Sequence, residues 1–262
     1  MSAQPLPSLQ APLLRVRGLE VEFDGFRAVD KLDFDVVEGE LRFLIGPNGA
    51  GKTTLVDVIT GLTRPRAGSV YFDGHELVGR SEFDIVRLGV GRTFQTATVF
   101  DKLSVLENLD LAASFRRPFI SLFGQRRGLS DRVNQVIELC GLSAQRDRPA
   151  GILPHGQKQW LEIGMLLVQD PRLLILDEPV AGMTREERTE TGRVLQQIAR
   201  DHTVIVVEHD MDFLRRFATK VTVMHEGKVL CEGPFALIHG DPRVQEVYLG
   251  KSARSQLGQA AG

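Results

Sequence analysis

The residues with the clearest chemistry form one short glycine-rich loop. Its sequence is Gly46-Pro47-Asn48-Gly49-Ala50-Gly51-Lys52-Thr53, followed by Thr54. The spacing fits the phosphate-binding pattern G-x-x-x-x-G-K-[ST]. Glycines allow backbone N–H groups to close around phosphate oxygens where a Cβ would clash. Lys52 would bring a compact positive charge to those phosphates, and the Thr53 hydroxyl is a hard oxygen ligand suited to Mg²⁺.

Such a loop has to be held between a strand and a helix, because the positive end of the helix must point at the phosphates. Residues 41–45 are mostly apolar, which predicts a strand before the loop. Residues 52–60 have the pattern of a helix that stops at Gly61. This context favours a nucleotide site over a chance glycine turn.

A second chemical signal is a pair of acids at the end of an apolar run. Residues 173–176 are Leu-Leu-Ile-Leu, and Asp177 and Glu178 follow. A carboxylate at the C-terminal end of a parallel strand can hold Mg²⁺, directly or through water, which is the role predicted for Asp177. Strand side chains alternate, so Glu178 should point elsewhere and could polarise an attacking water. Without the phosphate loop, two solvated acids would be the simpler interpretation.

The remaining pattern predicts an α/β fold. Residues 173–176 and 204–207 are continuous apolar runs, typical of parallel strands buried on both faces, and residues 185–200 are an amphipathic helix between them. By contrast, residues 14–17, 19–23 and 32–36 alternate apolar and charged side chains, as half-exposed antiparallel strands do. A hairpin is predicted around Glu226-Gly227.

Residues 96–169 predict helices only. Ser104 and Glu107 form a capping box that opens a helix. Ser130 is predicted to cap a second helix over 131–140, and a third runs over 156–169. Three helices without a convincing strand indicate a helical subdomain inserted into the core at about 96–169.

Composition limits the classes of function. The chain has 262 residues and a formal net charge of −2, which gives no electrostatic argument for a nucleic-acid partner. Its two cysteines, Cys140 and Cys231, lack metal-ligand spacing, so we expect reduced thiols. No apolar run is long enough to span a membrane. Residues 1–12 do not resemble a signal peptide; we expect a disordered lead there and a disordered tail at 251–262.

These motifs, in this order, resemble the ATP-binding subunits of ABC transporters over about residues 13–250. Residues 46–53 match the Walker A loop, and residues 173–178 match the Walker B strand. The other matches are Gln95 for the Q-loop, His209 for the switch histidine, residues 179–184 for the D-loop, Leu153-Pro154-His155-Gly156-Gln157 for the signature, and Phe23, with Phe26 as its rival, for the aromatic that stacks on adenine.

The resemblance implies a P-loop NTPase (RecA-like) core with an antiparallel β subdomain and an inserted helical subdomain. It implies a Mg²⁺- and ATP-dependent ATPase in which Thr53, Gln95 and Asp177 hold the metal, and Glu178, His209 and Gln95 serve catalysis. Two such subunits pair head to tail, so that each ATP lies between one P-loop and the other signature. They sit on two permease subunits at the cytoplasmic face of the inner membrane and work indirectly with a periplasmic solute-binding protein.

The signature departs from the usual Leu-Ser-Gly-Gly-Gln. Pro154 stands at the serine position and supplies neither a hydroxyl nor an N–H, while His155 replaces the first glycine. The D-loop also differs, with Thr184 where an aspartate is common. Because the signature serves the ATP of the partner, these changes favour an asymmetric heterodimer over a homodimer.

Finer resemblance points to the uptake group for branched-chain amino acids and urea. It rests on residues 91–95, 181–183 and 241–250. Within the group, residues 155–165 followed by 177–183 are most similar to the ATP-binding proteins of urea ABC transporters. Three alternatives remain: a branched-chain amino-acid importer, an ATPase of the lipopolysaccharide-export type, and a non-transport ABC ATPase.

Overall fold

The structure is a computed structural model that describes residues 11–93, 99–114 and 127–248, with the backbone alone for 127–130. Gln95, most of the predicted lead and the predicted tail at 251–262 lie outside the described residues. Eight named helices occur in the described part: α1 Lys52–Ile59, α2 Glu82–Leu88, α3 Val105–Ser114, α4 Arg127–Leu139, α5 His155–Leu167, α6 Arg185–Ile198, α7 Met211–Phe217 and α8 Phe235–Gly240.

Ten strands in the described ranges form two sheets: β1 Leu14–Phe23, β2 Phe26–Val36, β3 Leu41–Ile45, β4 Ala67–Phe72, β5 His75–Glu76, β6 Val90–Arg92, β7 Leu173–Asp177, β8 Thr203–Val207, β9 Lys220–His225 and β10 Lys228–Gly233. The smaller sheet has the order β2-β1-β4-β5 and is antiparallel. The larger has the order β10-β9-β3-β8-β7-β6; it is parallel except for β10, which pairs antiparallel with β9.

The parallel strands are buried on both faces, as their continuous apolar sequences predict. In β7, Leu174 and Leu176 enter one hydrophobic cluster, whereas Leu173 and Ile175 enter another. The first cluster includes side chains of α3, α4 and α5, and the second lies against the antiparallel sheet. The parallel sheet is therefore the common wall of both cores, which places the ends of its strands in a rigid frame.

Two local predictions were wrong. The strands predicted at 14–17 and 19–23 are one strand, β1, whose pairing with β2 shifts register between Val16 and Leu19. Gly18 lies there with φ 54°, so a bulge absorbs the break in alternation without ending the strand. Helix α4 begins at Arg127, upstream of Ser130, because serine is tolerated inside a helix that tertiary packing stabilises. The capping box of Ser104 and Glu107 is confirmed.

Candidate nucleotide-binding site

The glycine-rich loop lies between β3 and α1, as predicted. Gly46 has φ 152° and Gly51 has φ 97°, which are conformations that favour glycine. A Cβ on Gly51 would also lie 2.5 Å from the backbone oxygen of Ala28. Close packing behind the loop and positive φ angles within it therefore both exclude a side chain at this position.

Lys52 is the first residue of helix α1, and its side chain bonds to the beginning of the loop. Its Nζ donates to the carbonyl oxygens of Gly46 at 2.7 Å and Pro47 at 3.1 Å. A cavity of about 510 Å³ opens on this side, lined by Phe23, Phe26, Ala28, Asn48, Gly49, Ala50, Gly51, Lys52, Thr53, Thr54, Asp177, Glu178 and Val207. The fold thus brings the loop, both acids and both candidate aromatic residues to one cavity.

Asp177 is the last residue of β7 and is only 3% exposed. Burial raises the pKa of its carboxyl group above the ordinary value, and the nearby Arg92 guanidinium acts in the opposite direction. Arg92 Nη2 lies 3.4 Å from Asp177 Oδ2, and Arg92 Nη1 lies 2.5 Å from Asp57 Oδ1. The sequence around Arg92 does not predict these contacts, because Asp57 and Asp177 lie on other elements.

The position of Glu178 is set by a backbone turn that strand alternation does not predict. It lies just beyond β7 with φ 49°, in the left-handed region that non-glycine residues rarely adopt. Its N–H donates to the carbonyl of Val207 at 2.9 Å. This turn brings Glu178 Oε1 to 3.3 Å from His209 Nδ1, so the two residues predicted to act together do meet.

The turn that carries His209 is held by its neighbour Glu208. Glu208 is 1% exposed, and its Oε2 accepts from the N–H of His209 at 2.9 Å and of Asp210 at 3.2 Å. Asp210 then caps α7 by accepting from the N–H groups of Asp212 and Phe213. The side chain of His209 is exposed, whereas its backbone is fixed by the carboxylate of Glu208.

Phe23 and Phe26 face each other across the β1–β2 turn. They are 49% and 63% exposed, and both line the cavity. The structure therefore leaves both as candidates to stack on a planar base.

The residues matched to the signature surround the start of α5. Pro154 is its N-cap and makes no side-chain capping bond. His155 Nε2 lies 3.2 Å from the carbonyl of Ala181 in the same chain, so its imidazole is directed at the predicted D-loop. Among the described residues, the wall of the P-loop cavity includes none of Leu153–Gln157. Within one chain, the residues matched to the signature therefore do not line the P-loop cavity, which is compatible with the head-to-tail pairing expected from the resemblance.

The cavity fits a nucleoside triphosphate with Mg²⁺. The backbone N–H groups of a glycine-rich loop, the Lys52 charge and the N-terminal end of α1 match phosphate. Mg²⁺ is usually bound by one or two side-chain oxygens together with substrate phosphates, and Thr53 and Asp177 supply such oxygens in one cavity.

Comparison with known proteins decides the family. A family model described as "ABC transporter" matches residues 29–181. The chain belongs to the ABC transporter family. It is 34% identical over 256 residues to LivG, a high-affinity branched-chain amino acid transport ATP-binding protein of Salmonella typhimurium, with 93% of this chain and 100% of LivG covered. BraF of Pseudomonas aeruginosa, of the same description, is 33% identical over 257 residues, with the same coverage of both chains.

Solved structures show the same cassette. An ATP-binding cassette of an ABC transporter in its ADP conformation has a TM-score of 0.81 and 30% identity, covering 92% of this chain and 100% of that one. A dimeric bacterial ABC cassette has a TM-score of 0.73 at 21% identity, covering 84% and 98%, and shows the fold alone. The predicted fold class is confirmed, and the ABC cassette is an ATPase coupled to transport, as predicted. No helix in the described ranges combines the length and apolarity needed to cross a bilayer.

Proposed function

We propose that this ABC cassette powers an importer for branched-chain amino acids. The observation that carries the proposal is its match to LivG along the whole length of that relative. The expected urea specificity becomes the second candidate, favoured by residues 155–165 and 177–183. The ATPase does not touch the solute in either case, so the choice between the two depends on the permeases with which it assembles.

In the proposed mechanism, Lys52 and the N–H groups of the loop bind the phosphates, and Thr53 and Asp177 hold Mg²⁺ with Gln95. When bound, Mg²⁺ neutralises negative charge on the phosphates. Glu178 orients the attacking water, and its contact with His209 supports that orientation. Most of the catalysis is positioning and charge stabilisation.

We further propose that the chain works as one half of a heterodimer with a second ABC ATPase. Residues Leu153–Gln157 contribute to the ATP site of the partner, where Pro154 lacks the usual hydroxyl. His155 is directed at Ala181 of its own chain, so in this conformation its imidazole is not a replacement for that hydroxyl. The weaker site would then be the one that holds the partner's P-loop. Assembly with a partner whose Walker A lysine is inactivated should leave most hydrolysis intact, and near-complete loss would contradict the asymmetry.

The permease contact is proposed at an apolar groove of about 560 Å³ between the core and the helices. Its wall includes Phe100, Leu111 and Leu166, and two of these, Phe100 and Leu111, are among the exposed large apolar residues. The Gln95 segment with residues 96–103 is proposed to carry motion from the nucleotide to this groove. Two permeases docked in this way would hold the dimer at the cytoplasmic face of the inner membrane.

Uptake by intact cells tests the transport proposal. A strain that lacks this gene is supplied with labelled leucine or labelled urea, and is complemented with the wild-type chain or with Glu178→Gln. Leucine uptake restored only by the wild type supports the branched-chain proposal. If urea uptake is restored only by the wild type instead, the second candidate, urea import, is supported. If the deletion strain loses uptake of neither solute, both proposals are contradicted.

A further inference from the structure

Helix α5 contacts the turn after β7 at two points. Gln159 Nε2 donates to the carbonyl oxygen of Glu178 at 3.3 Å. One helical turn earlier, His155 Nε2 donates to the carbonyl of Ala181 at 3.2 Å. Residues four apart lie on the same helix face, so both contacts come from one side of α5. Since α5 begins within the signature, that motif is joined directly to the turn that carries Glu178.

The backbone of Glu178 needs such support. Its φ of 49° lies in the left-handed region, which is a strained conformation for a non-glycine residue. Its N–H is held by Val207, and its carbonyl accepts from the N–H of Ala181 at 3.1 Å and from Gln159. Of these three partners, Val207 and Ala181 act through their backbone groups and Gln159 acts through its side chain. The direction of the Glu178 carboxylate follows from this backbone conformation, and that direction sets its 3.3 Å contact with His209.

Gln159 is poorly explained as packing. Its side chain is buried, with the residue 6% exposed, and its Oε1 has no hydrogen-bond partner among the described residues. A buried amide with one unsatisfied group is unfavourable, and an apolar side chain of the same length would avoid that penalty. What glutamine contributes at this position is therefore the donor to Glu178.

We propose that Gln159 is a positioning residue that makes the orientation of Glu178 depend on the position of the signature helix. This inference rests on the proposed role of Glu178 in orienting water. Its consequence is a route between the two ATP sites of a dimer. When the signature moves toward the nucleotide of the partner, α5 displaces the carbonyl of Glu178, and the chain's own site responds.

The test is Gln159→Met in the full chain, assembled with its partner ATPase and permeases. Methionine keeps the length and loses the donor. We expect kcat to fall roughly threefold to tenfold, the loss expected for one hydrogen bond, with KM for ATP unchanged. The melting temperature should not fall, because the unsatisfied Oε1 is also removed. Gln197→Met is the matched control: Gln197 is an exposed glutamine near the C-terminal end of α6, and this variant should keep wild-type kinetics.

A wild-type kcat in Gln159→Met would overturn the inference. So would a fall in kcat that follows a fall in melting temperature, since that would indicate a structural role. Gln159→Glu keeps the shape and replaces the donor with an acceptor; its kcat should fall at least as far, and unchanged kcat in a folded variant would also overturn the inference. Glu178→Gln separates the two ideas. If Glu178→Gln hydrolyses ATP at the wild-type rate, the proposed role of Glu178 is wrong. If Glu178→Gln loses hydrolysis but Gln159→Met keeps the wild-type rate, the inference about Gln159 alone is wrong.

Discussion

Arg42 allows a direct test of what stabilises the strand that leads into the phosphate-binding loop. It lies within β3 and is fully buried. Its guanidinium donates to Glu40, Glu232 and Thr222, each at 2.5 Å, and to the carbonyl of Asp35 at 3.1 Å. One cation therefore connects β2, β3, β9 and β10. The perturbation is Arg42→Met, which keeps an unbranched side chain and removes the charge and all four bonds.

The magnitude follows from the exposure of the partners. Removing one member of a buried ion pair costs about 3–5 kcal/mol, because the other charge is left uncompensated. Glu40 is 12% exposed but Glu232 is 40% exposed, and Lys220 Nζ lies 3.4 Å and 3.5 Å from them. Water and Lys220 thus compensate part of the loss, and we expect a destabilisation of about 3 kcal/mol. For a domain of this size that lowers the melting temperature by about 6–12 °C.

The loss should depend on pH. The bond from Arg42 helps to lower the pKa of Glu40 below its ordinary value, against the effect of burial. A lowered carboxyl pKa stabilises the fold above the unfolded pKa, and this stabilisation disappears as pH falls through the folded pKa. The difference in the free energy of unfolding between the wild type and Arg42→Met should therefore decrease as the pH is lowered.

Urea unfolding of the full chain measures the effect, at neutral pH and again below the ordinary pKa of glutamate. Arg193→Met is the matched control, since Arg193 is 66% exposed and pairs with the exposed Glu190. We expect the control to change stability by less than about 0.5 kcal/mol. A destabilisation by Arg42→Met below about 1 kcal/mol, or one that does not change with pH, would refute the argument that this buried charge network stabilises the core.

Four further outcomes are expected. Glu178→Gln should bind ATP but stop hydrolysing it in the assembled complex, as measured by nucleotide trapping and phosphate release; wild-type turnover would contradict the role of Glu178. Burial raises the pKa of Glu208, so ionisation of this carboxyl group destabilises the fold as pH rises through that pKa. The urea midpoint of Glu208→Gln should therefore increase relative to that of the wild type as pH rises. A difference between the two midpoints that does not change with pH would contradict this. Burial raises the pKa of Cys140 to about 12, so a thiol reagent should label it far more slowly than the half-buried Cys231, and equal labelling by mass spectrometry would show that the core opens readily. Pro154→Ser restores a hydroxyl to the signature and should raise hydrolysis at the site that holds the partner's P-loop roughly tenfold, measured as phosphate release from a complex whose other site is inactivated by Lys52→Ala; no change would show that the hydroxyl is dispensable.

Much of the site was predictable because its signals are local. The phosphate loop needs glycines at defined positions and a lysine at the helix start, so Gly46–Thr53 can be recognised from its own sequence. The apolar runs before Asp177 and at 204–207 predicted buried parallel strands, because continuous burial requires apolar side chains on both faces. The Ser104–Glu107 capping box was equally local and is confirmed.

Tertiary structure decided how the separate signals meet. Glu178 and His209 follow different strands, and they come within 3.3 Å because β7 and β8 are parallel neighbours in register. The backbone of Glu178, in its left-handed conformation, is hydrogen-bonded to Val207 and Gln159, and no pattern around residue 178 predicts these bonds. A sequence specifies which groups are available for chemistry. Distances of a few ångströms between them are set by packing of elements far apart in the chain, and for that reason the contacts of Gln159, Glu208 and Arg92 emerged only from the fold.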